Sequence, residues 1–335
     1  MKAMVLAAGL GTRLRPITRA IPKPMVPVLN RPVMEHIVRL LARHGMTEVI
    51  ANLYWFPETI QGHFGDGSGF GVDLAYSHEE ALHGTAGGVR VAADFFGDGP
   101  FLVISGDALT DLDLAAMREF HESHDGIATL ATKRVADTSE FGVVITEDDG
   151  RIQGFQEKPA PAEALSDLAN CGIYMFDREI FEFFPGPRES KLYDPGDPDG
   201  FADWALDVFP ALMEAAVPFY AHEFDSYWND IGTIGELIQG NFDGLAGEVR
   251  LEIGEPEREP GVWAGECEGL EGAAIHGPVL IGEGCRFGGK VELIGPAVIG
   301  PGCELGDRSG VRETVLLAGS GLAPGAFVAG GVLGI

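Results

Sequence analysis

Residues 9–24, Gly9-Leu-Gly-Thr-Arg-Leu-Arg-Pro-Ile-Thr-Arg-Ala-Ile-Pro-Lys-Pro24, place Arg13, Arg15, Arg19 and Lys23 on a glycine loop. Guanidinium and ammonium groups supply charge and donors. Gly9 and Gly11 can take backbone conformations closed to other residues and turn N–H groups toward an anion. Such a set is suited to holding phosphate; the plainer alternative is a strand-to-loop corner with a solvated basic edge. The charge distribution favours phosphate. Residues 1–43 hold Lys2, Arg13, Arg15, Arg19, Lys23, Arg31, Arg39 and Arg43 against Glu35 alone, whereas the whole chain carries −28. Cations concentrated beside one loop of so acidic a chain point to an anionic ligand. The loop lacks the Gly-Lys-Ser/Thr ending of a Walker motif and the third, helix-opening glycine of a dinucleotide fold.

Four other stretches carry candidate chemistry. Gly106-Asp107 follows the apolar run Phe101–Ser105, which puts a carboxylate at a strand tip. It reads either as a turn former or as one of the one or two carboxylates that hold Mg2+ beside nucleotide phosphates. Glu79-Glu80-Ala-Leu-His83-Gly84-Thr85-Ala-Gly-Gly88 reads as a glycine turn into a helix capped by Thr85. Glu157-Lys158-Pro159 closes a strand-like segment, and Trp228-Asn-Asp230-Ile-Gly-Thr233 opens a helical run that Asp230 or Thr233 could cap.

The spacing Gly9-x-Gly11-Thr12-Arg13-Leu-x-Pro16, followed by Pro22-Lys23-Pro24-Met25, resembles the signature of the sugar-1-phosphate nucleotidylyltransferases. Within that family the chain looks closest to mannose-1-phosphate guanylyltransferase-like members with a hexapeptide tail. The resemblance implies nucleotidyl transfer from a nucleoside triphosphate to a hexose 1-phosphate, with Mg2+ as cofactor. It implies nucleotide contacts at Leu6, Ala8, Gly9, Gly11, Thr12, Arg13, Lys23, Glu79, Gly84 and Thr85, and sugar-phosphate contacts at Gly142, Glu157, Lys158 and Asn170. Asp107 and Asp230 would hold the metal, and Arg13, Lys23 and Asp107 would serve catalysis. His83 stands where Leu is common and Cys171 where Ala is common. Members using thymidine or uridine nucleotides often present glutamine near position 79, whereas an ionised Glu only accepts hydrogen bonds. Guanine offers two adjacent donors, so Glu79 tilts the reading toward GTP and, by resemblance, mannose 1-phosphate; Glu80 could instead be the residue facing the base. The alternatives are thymidylyl or uridylyl transfer to glucose 1-phosphate and, in another class, a non-catalytic sugar-nucleotide-binding subunit.

The elements that must position these residues alternate. Apolar Ala3–Ala8 reads as a first strand, and Val33, Met34, Ile37, Leu40 and Leu41 recur at helical spacing. Strands at 48–52, 72–76 and 101–105 and helices from about 57 and 86 continue the pattern. This predicts an α/β, Rossmann-like domain with a mostly parallel mixed sheet and its ligand at the strands' carboxyl ends. Its expected span is 1–243, followed by a Gly, Glu and Pro-rich linker at 244–261.

Beyond the linker the period becomes six. Ile275, Ile281, Phe287, Leu293, Ile299, Leu305, Val311 and Leu317 are apolar, and Val279, Cys285, Val291, Ala297, Cys303, Ser309 and Val315 fill the position four on. This predicts hexapeptide repeats forming a short left-handed parallel β-helix over 262–335, with residues 18 apart stacked and Cys267, Cys285 and Cys303 in one column. So short a solenoid buries little alone, so packing on the first domain or on another copy, a homo-oligomer, is expected. Hexapeptide folds also host acyltransferases, but His276 is the only histidine of this region.

With 335 residues, 45% of them hydrophobic, the chain can bury a sizeable core. Its acidity disfavours nucleic acid and anionic membranes as partners. No apolar run approaches the roughly 20 residues of a membrane span, and four cysteines do not suggest a secreted disulfide framework. A cytoplasmic enzyme is the expectation.

Overall fold

The computed structural model describes residues 1–186 and 200–334, so Ile335, the last residue of the expected β-helix, lies outside the described residues. By packing, the chain forms two compact units. One comprises Met1–Leu10, Ile37–Ala108 and Leu112–Trp228, the other Gly11–His36, Leu109–Asp111 and Asn229–Ile335. The basic loop thus belongs to the same unit as the C-terminal repeats.

In chain order the strands before those repeats are β1 (Lys2–Leu6), β2 (Pro27–Val28), β3 (Arg31–Pro32), β4 (Glu48–Leu53), β5 (Asp73–His78), β6 (Phe101–Ser105), β7 (Ala108–Thr110), β8 (Ala128–Arg134), β9 (Gly142–Thr146), β10 (Ile152–Glu157), β11 (Leu168–Phe176), β12 (Tyr220–Glu223) and β13 (Trp228–Asp230). The helices are α1 (Val33–Arg43), α2 (Pro57–Phe64), α3 (Gly84–Val91), α4 (Ala93–Phe96), α5 (Leu114–Glu122), α6 (Phe209–Glu214) and α7 (Ile234–Ala246).

The first unit is built on a mixed sheet in the order β10-β9-β11-β6-β1-β4-β5, with β8 on β11 and β12 on β8. Strands β6, β1, β4 and β5 run parallel, and β11 is antiparallel to β6. This is the expected α/β class. Because β1 is central, Ala3, Met4 and Val5 are all fully buried, which is why its sequence is a continuous apolar run. An aromatic core closes the β11 side: Phe176 stacks on Trp204 with centroids 4.5 Å apart, and Trp204 stacks on Phe209 at 5.8 Å. Such pairs add to area burial.

Behind the sheet, α5 and β8 enclose a hydrogen-bonded histidine pair. The Gly126 N–H donates to His124 Nδ1 at 3.1 Å, which leaves Nε2 of the neutral ring to donate to Thr129 Oγ1 at 2.8 Å. The Thr129 hydroxyl then donates to His121 Nδ1, also at 2.8 Å. His121 Nε2 lies 3.6 Å from an Asp177 carboxylate oxygen. Each bond fixes the tautomer of the next ring.

In the second unit, parallel strands stack in three columns, giving a parallel β-helix. The pairing Val262↔Val279↔Ala297 and Leu293↔Val311 follows the expected 18-residue offset. After Val311 the offset becomes 17: Val298 pairs with Val315, Ile299 with Leu316, and Leu305 with Leu322. The expected register at Val315 and Leu317 is therefore off by one. Thr314 is fully buried and Leu316 takes the inward place, while Leu317 is only partly covered. The cause is a corner. Two coils turn through Gly277-Pro278 and Gly295-Pro296; the third turns through Glu313 alone, whose φ is 47°.

Cys285 and Cys303 are buried and Cys267, at the end of the column, is half-buried. Their sulfurs reach the carbonyls of Gly300 (3.2 Å), Leu317 (3.3 Å) and Gly282 (3.4 Å) respectively. The hydrogen bond to Cys303 and burial push the Cys285 thiol above its ordinary range.

Two measurements test this packing. Burial and the neighbouring His121 push His124 from 6.5 down to about 4, so between those values the unfolded chain binds the extra proton. Stability should fall as pH drops through that window. Thermal unfolding followed by circular dichroism should show the decline, and His124→Gln, which keeps an acceptor and a donor, should flatten it; an unchanged slope would assign it elsewhere. For the column, thiol labelling read by mass spectrometry should modify Cys267 first and leave Cys285 and Cys303 protected until denaturant is added. Equal rates in the native state would overturn the register.

Candidate active site

Arg13, Lys23 and Asp230 meet in the second unit. Gly11 has left-handed backbone (φ 59°), and a Cβ there would sit 2.8 Å from the Lys23 Cβ. Glycine therefore lets the chain double back so that Lys23 covers the turn. The Thr18 hydroxyl locks it by donating to the Gly11 carbonyl at 2.7 Å. Lys23 Nζ lies 3.5 Å from Asp230 Oδ1, and an Arg13 guanidinium nitrogen lies 3.7 Å from Oδ2. Burial pulls the Lys23 pKa down, and Asp230 opposes that fall. Arg15, Arg19 and Thr12 are exposed.

Asp230 serves the cations because the helix start is capped by others. Thr233 Oγ1 accepts from the Glu236 N–H at 3.2 Å, while Glu236 Oε2 accepts from the N–H groups of Thr233 (2.7 Å) and Gly232 (3.0 Å). This is a capping box. Of the two cap candidates the structure selects Thr233. Glu236, absent from the sequence-based candidates, is visible there as the fourth residue of Thr-x-x-Glu.

In the first unit, the parallel register pairs Leu6 with Ser105. Asp107, half-buried, therefore leaves β6 at the sheet end where Ala8 and Gly9 leave β1. The Gly106 N–H donates to the Leu6 carbonyl at 2.9 Å and fixes the two ends together.

The expected sugar-side residues also converge in this unit. Gly142 pairs with Glu157 across β9 and β10, and β11 joins β9 through Ala169 and Val143, next to Asn170. Asn170 Oδ1 accepts from the Gly172 N–H at 3.1 Å and shapes a β11 bulge. Lys158 has φ 46°, and its N–H donates to the Phe141 carbonyl at 3.1 Å. Its ammonium is half exposed, 3.9 Å from Glu157 Oε1.

One expectation changes at the segment 79–88. Thr85 does not cap α3. It lies within the first turn, where its hydroxyl donates to Asp203 Oδ2 at 2.8 Å and accepts from the Trp204 N–H at 3.2 Å. The Ala86 and Gly87 N–H groups both donate to the Ala202 carbonyl at 3.0 Å, so they are already engaged. Glu79 faces inward, with 1% of its side chain exposed. Its Oε1 accepts from Asn52 Nδ2 at 2.7 Å and its Oε2 from the His83 N–H at 3.1 Å, whereas Glu80 is exposed. Nothing in the sequence singles out Asn52 or Asp203, since both partnerships are tertiary.

Residues 2–246 match the profile of the Nucleotidyl transferase family. The chain belongs to that family. It is 41% identical to a UTP–glucose-1-phosphate uridylyltransferase of Synechocystis, over 97% of this chain and 85% of that protein. It is 32% identical to a mannose-1-phosphate guanylyltransferase of Mycobacterium tuberculosis, over 85% and 76% of the two chains. Among solved structures it is similar to a Bacillus anthracis chain assigned as a glucose-1-phosphate thymidylyltransferase and crystallised with sucrose (TM-score 0.64, 27% identity, 75% of this chain and 97% of that one).

For a nucleotidyl transferase the metal question turns on the donor set. Among the described residues no group of three His, Cys, Asp or Glu side chains forms a ready metal cage. Asp107 and Asp230 are hard oxygen donors, and Mg2+ is typically held by one or two carboxylates with substrate phosphates completing the shell. The donor chemistry fits that mode. Asp107→Asn and Asp230→Asn should each lower nucleotidyl-transfer turnover at least about a hundredfold, with circular dichroism showing a retained fold. Native turnover at saturating Mg2+ in either variant would remove that residue from the metal set.

Proposed function

We propose that this chain transfers a nucleotidyl group from a nucleoside triphosphate to a hexose 1-phosphate and releases pyrophosphate. The observation that carries the reading is the Arg13–Asp230–Lys23 cluster, two cations held ready on one carboxylate in a strongly acidic chain. The sugar phosphate is already anionic, so an oxygen of it attacks the α-phosphorus without a general base. The bond from that phosphorus to the bridging oxygen breaks, and the electron pair leaves with pyrophosphate. Arg13 balances charge on the departing pyrophosphate, Lys23 holds phosphate at the reacting centre, and Lys158 orients the nucleophile beside Glu157. Asp107 and Asp230 would each offer a carboxylate to Mg2+, which would supply charge neutralisation. Positioning and electrostatics are what this reaction class requires.

For the substrate pair we favour UTP and glucose 1-phosphate. The tilt toward guanine rested on Glu79 as an acceptor for the base, and that carboxylate is occupied by Asn52 and His83. The relative covering 97% of this chain is named for uridylyl transfer to glucose 1-phosphate. GTP with mannose 1-phosphate is the second reading, supported by relatives named for it at 30–32% identity.

Pyrophosphate release should be measured over a grid of UTP, dTTP, GTP, ATP and CTP against glucose 1-phosphate and mannose 1-phosphate with Mg2+. The expected maximum is UTP with glucose 1-phosphate. A maximum at GTP with mannose 1-phosphate would favour the second reading, and no release anywhere would overturn nucleotidyl transfer itself.

A further inference from the structure

We infer that Glu79 is a positioning residue, not a base reader. With Asn52 it forms a buried brace that registers two nucleotide-side loops against each other. The inference rests on the proposed reading that residues 8–9 and 84–85 contact the nucleotide.

The brace is a polarised chain of hydrogen bonds. The Ala7 N–H, at the exit of β1, donates to Asn52 Oδ1 at 2.8 Å. That bond settles which way the amide points, so Nδ2 must face Glu79, to which it donates at 2.7 Å. On the far side the His83 N–H donates to the other oxygen of Glu79 at 3.1 Å. Both hydrogen-bonding neighbours of Glu79 are therefore donors, with the His83 ring beyond them, its Nδ1 3.5 Å from Oε2; a group that accepts at both of its heavy atoms completes the chain. Asn52 and Glu79 are buried, so no water competes for these bonds. The fold makes room for the pair at Gly88 of α3, where a Cβ would stand 2.7 Å from both Asn52 Nδ2 and Glu79 Oε1.

Strand β4 thus ties the backbone just before Gly9 to the backbone just before Gly84. Buried polar chains of this kind are costly when one member is left unmatched. A glutamine side chain in place of Glu79 would set an N–H against an N–H. Flipping Asn52 to relieve that clash would only move it to Ala7. An aspartate in place of Asn52 in the same molecule would restore the pattern. Its carboxylate accepts from both the Ala7 N–H and the newly introduced amide, and the carbonyl of that amide accepts from the His83 N–H.

A rescue experiment tests the brace. Wild type, E79Q, N52D and N52D/E79Q are assayed for pyrophosphate release with the favoured triphosphate and sugar phosphate, and their melting temperatures are recorded. E79Q should raise KM for the triphosphate about tenfold, leave KM for the sugar phosphate within about twofold, and leave the order of preference among triphosphates unchanged. N52D alone should be worse, because it buries two facing carboxylates. The double variant should recover to within about threefold of wild type, a strongly non-additive cycle. Should E79Q fail to fold, the double variant decides alone: folded with near-native KM supports the brace, unfolded overturns it. A double variant no better than the product of the singles, or an E79Q enzyme that switches its preferred base, also overturns it. An inactive wild type would instead refute nucleotidyl transfer, and in that case the melting temperatures still read the coupling between positions 52 and 79.

Discussion

The basic loop depends on one carboxylate. In a chain of net charge −28, Lys23 is the cation of the loop that is largely enclosed, and Asp230 is its counter-charge at 3.5 Å. At that distance the gross attraction is about 5 kcal/mol for an effective dielectric near 20. The cost of desolvating the two groups is of the same order. The pair therefore adds little net stability; what it does is hold Lys23 in place and oppose the burial that favours its neutral form. The arrangement propagates outward. Gly11 exists to let Lys23 lie over the turn, and Thr233 with Glu236 takes over the capping of α7 so that Asp230 faces the cations.

Much of this architecture is legible in the sequence because it rests on local rules. The strand Phe101–Ser105 and the start of α1 at Val33 fall where apolar periodicity and proline put them. The six-residue period announces a stacked solenoid because every coil meets the same inward environment. Its failure after Val311 is equally physical. Strand spacing is read from side chains, but offset is set by corner length, and Glu313 turns in one residue where Gly295-Pro296 uses two. Only the backbone registers that.

The cap at α7 lies between these cases. Asp230 and Thr233 are both competent N-cap residues, and choosing between them requires the residue three beyond the cap. Glu236 makes Thr233 the better partner, since its carboxylate returns to the N–H groups of Gly232 and Thr233. Once the capping box is recognised, Asp230 is released from a structural duty, and the two cations beside it account for its position. A carboxylate near a helix start should be assigned only after its competitors for the cap have been examined.

Glu79 shows where sequence reasoning reaches its physical boundary. A glutamate five residues before a glycine turn presents an acceptor, and chemistry alone permits that acceptor to meet a base or a backbone. The choice is made by Asn52, 27 residues away in the chain, whose own orientation is set by the Ala7 N–H just past the end of a neighbouring strand. Three elements must assemble before the direction of one amide is determined, and that direction in turn dictates a carboxylate at position 79. On the proposed reading, an acceptor turned inward in this way acts on the ligand through the loops it holds. Discrimination between bases must then come from groups that face the ligand, including backbone N–H and C=O groups, and side-chain identity at position 79 carries no direct information about the nucleotide.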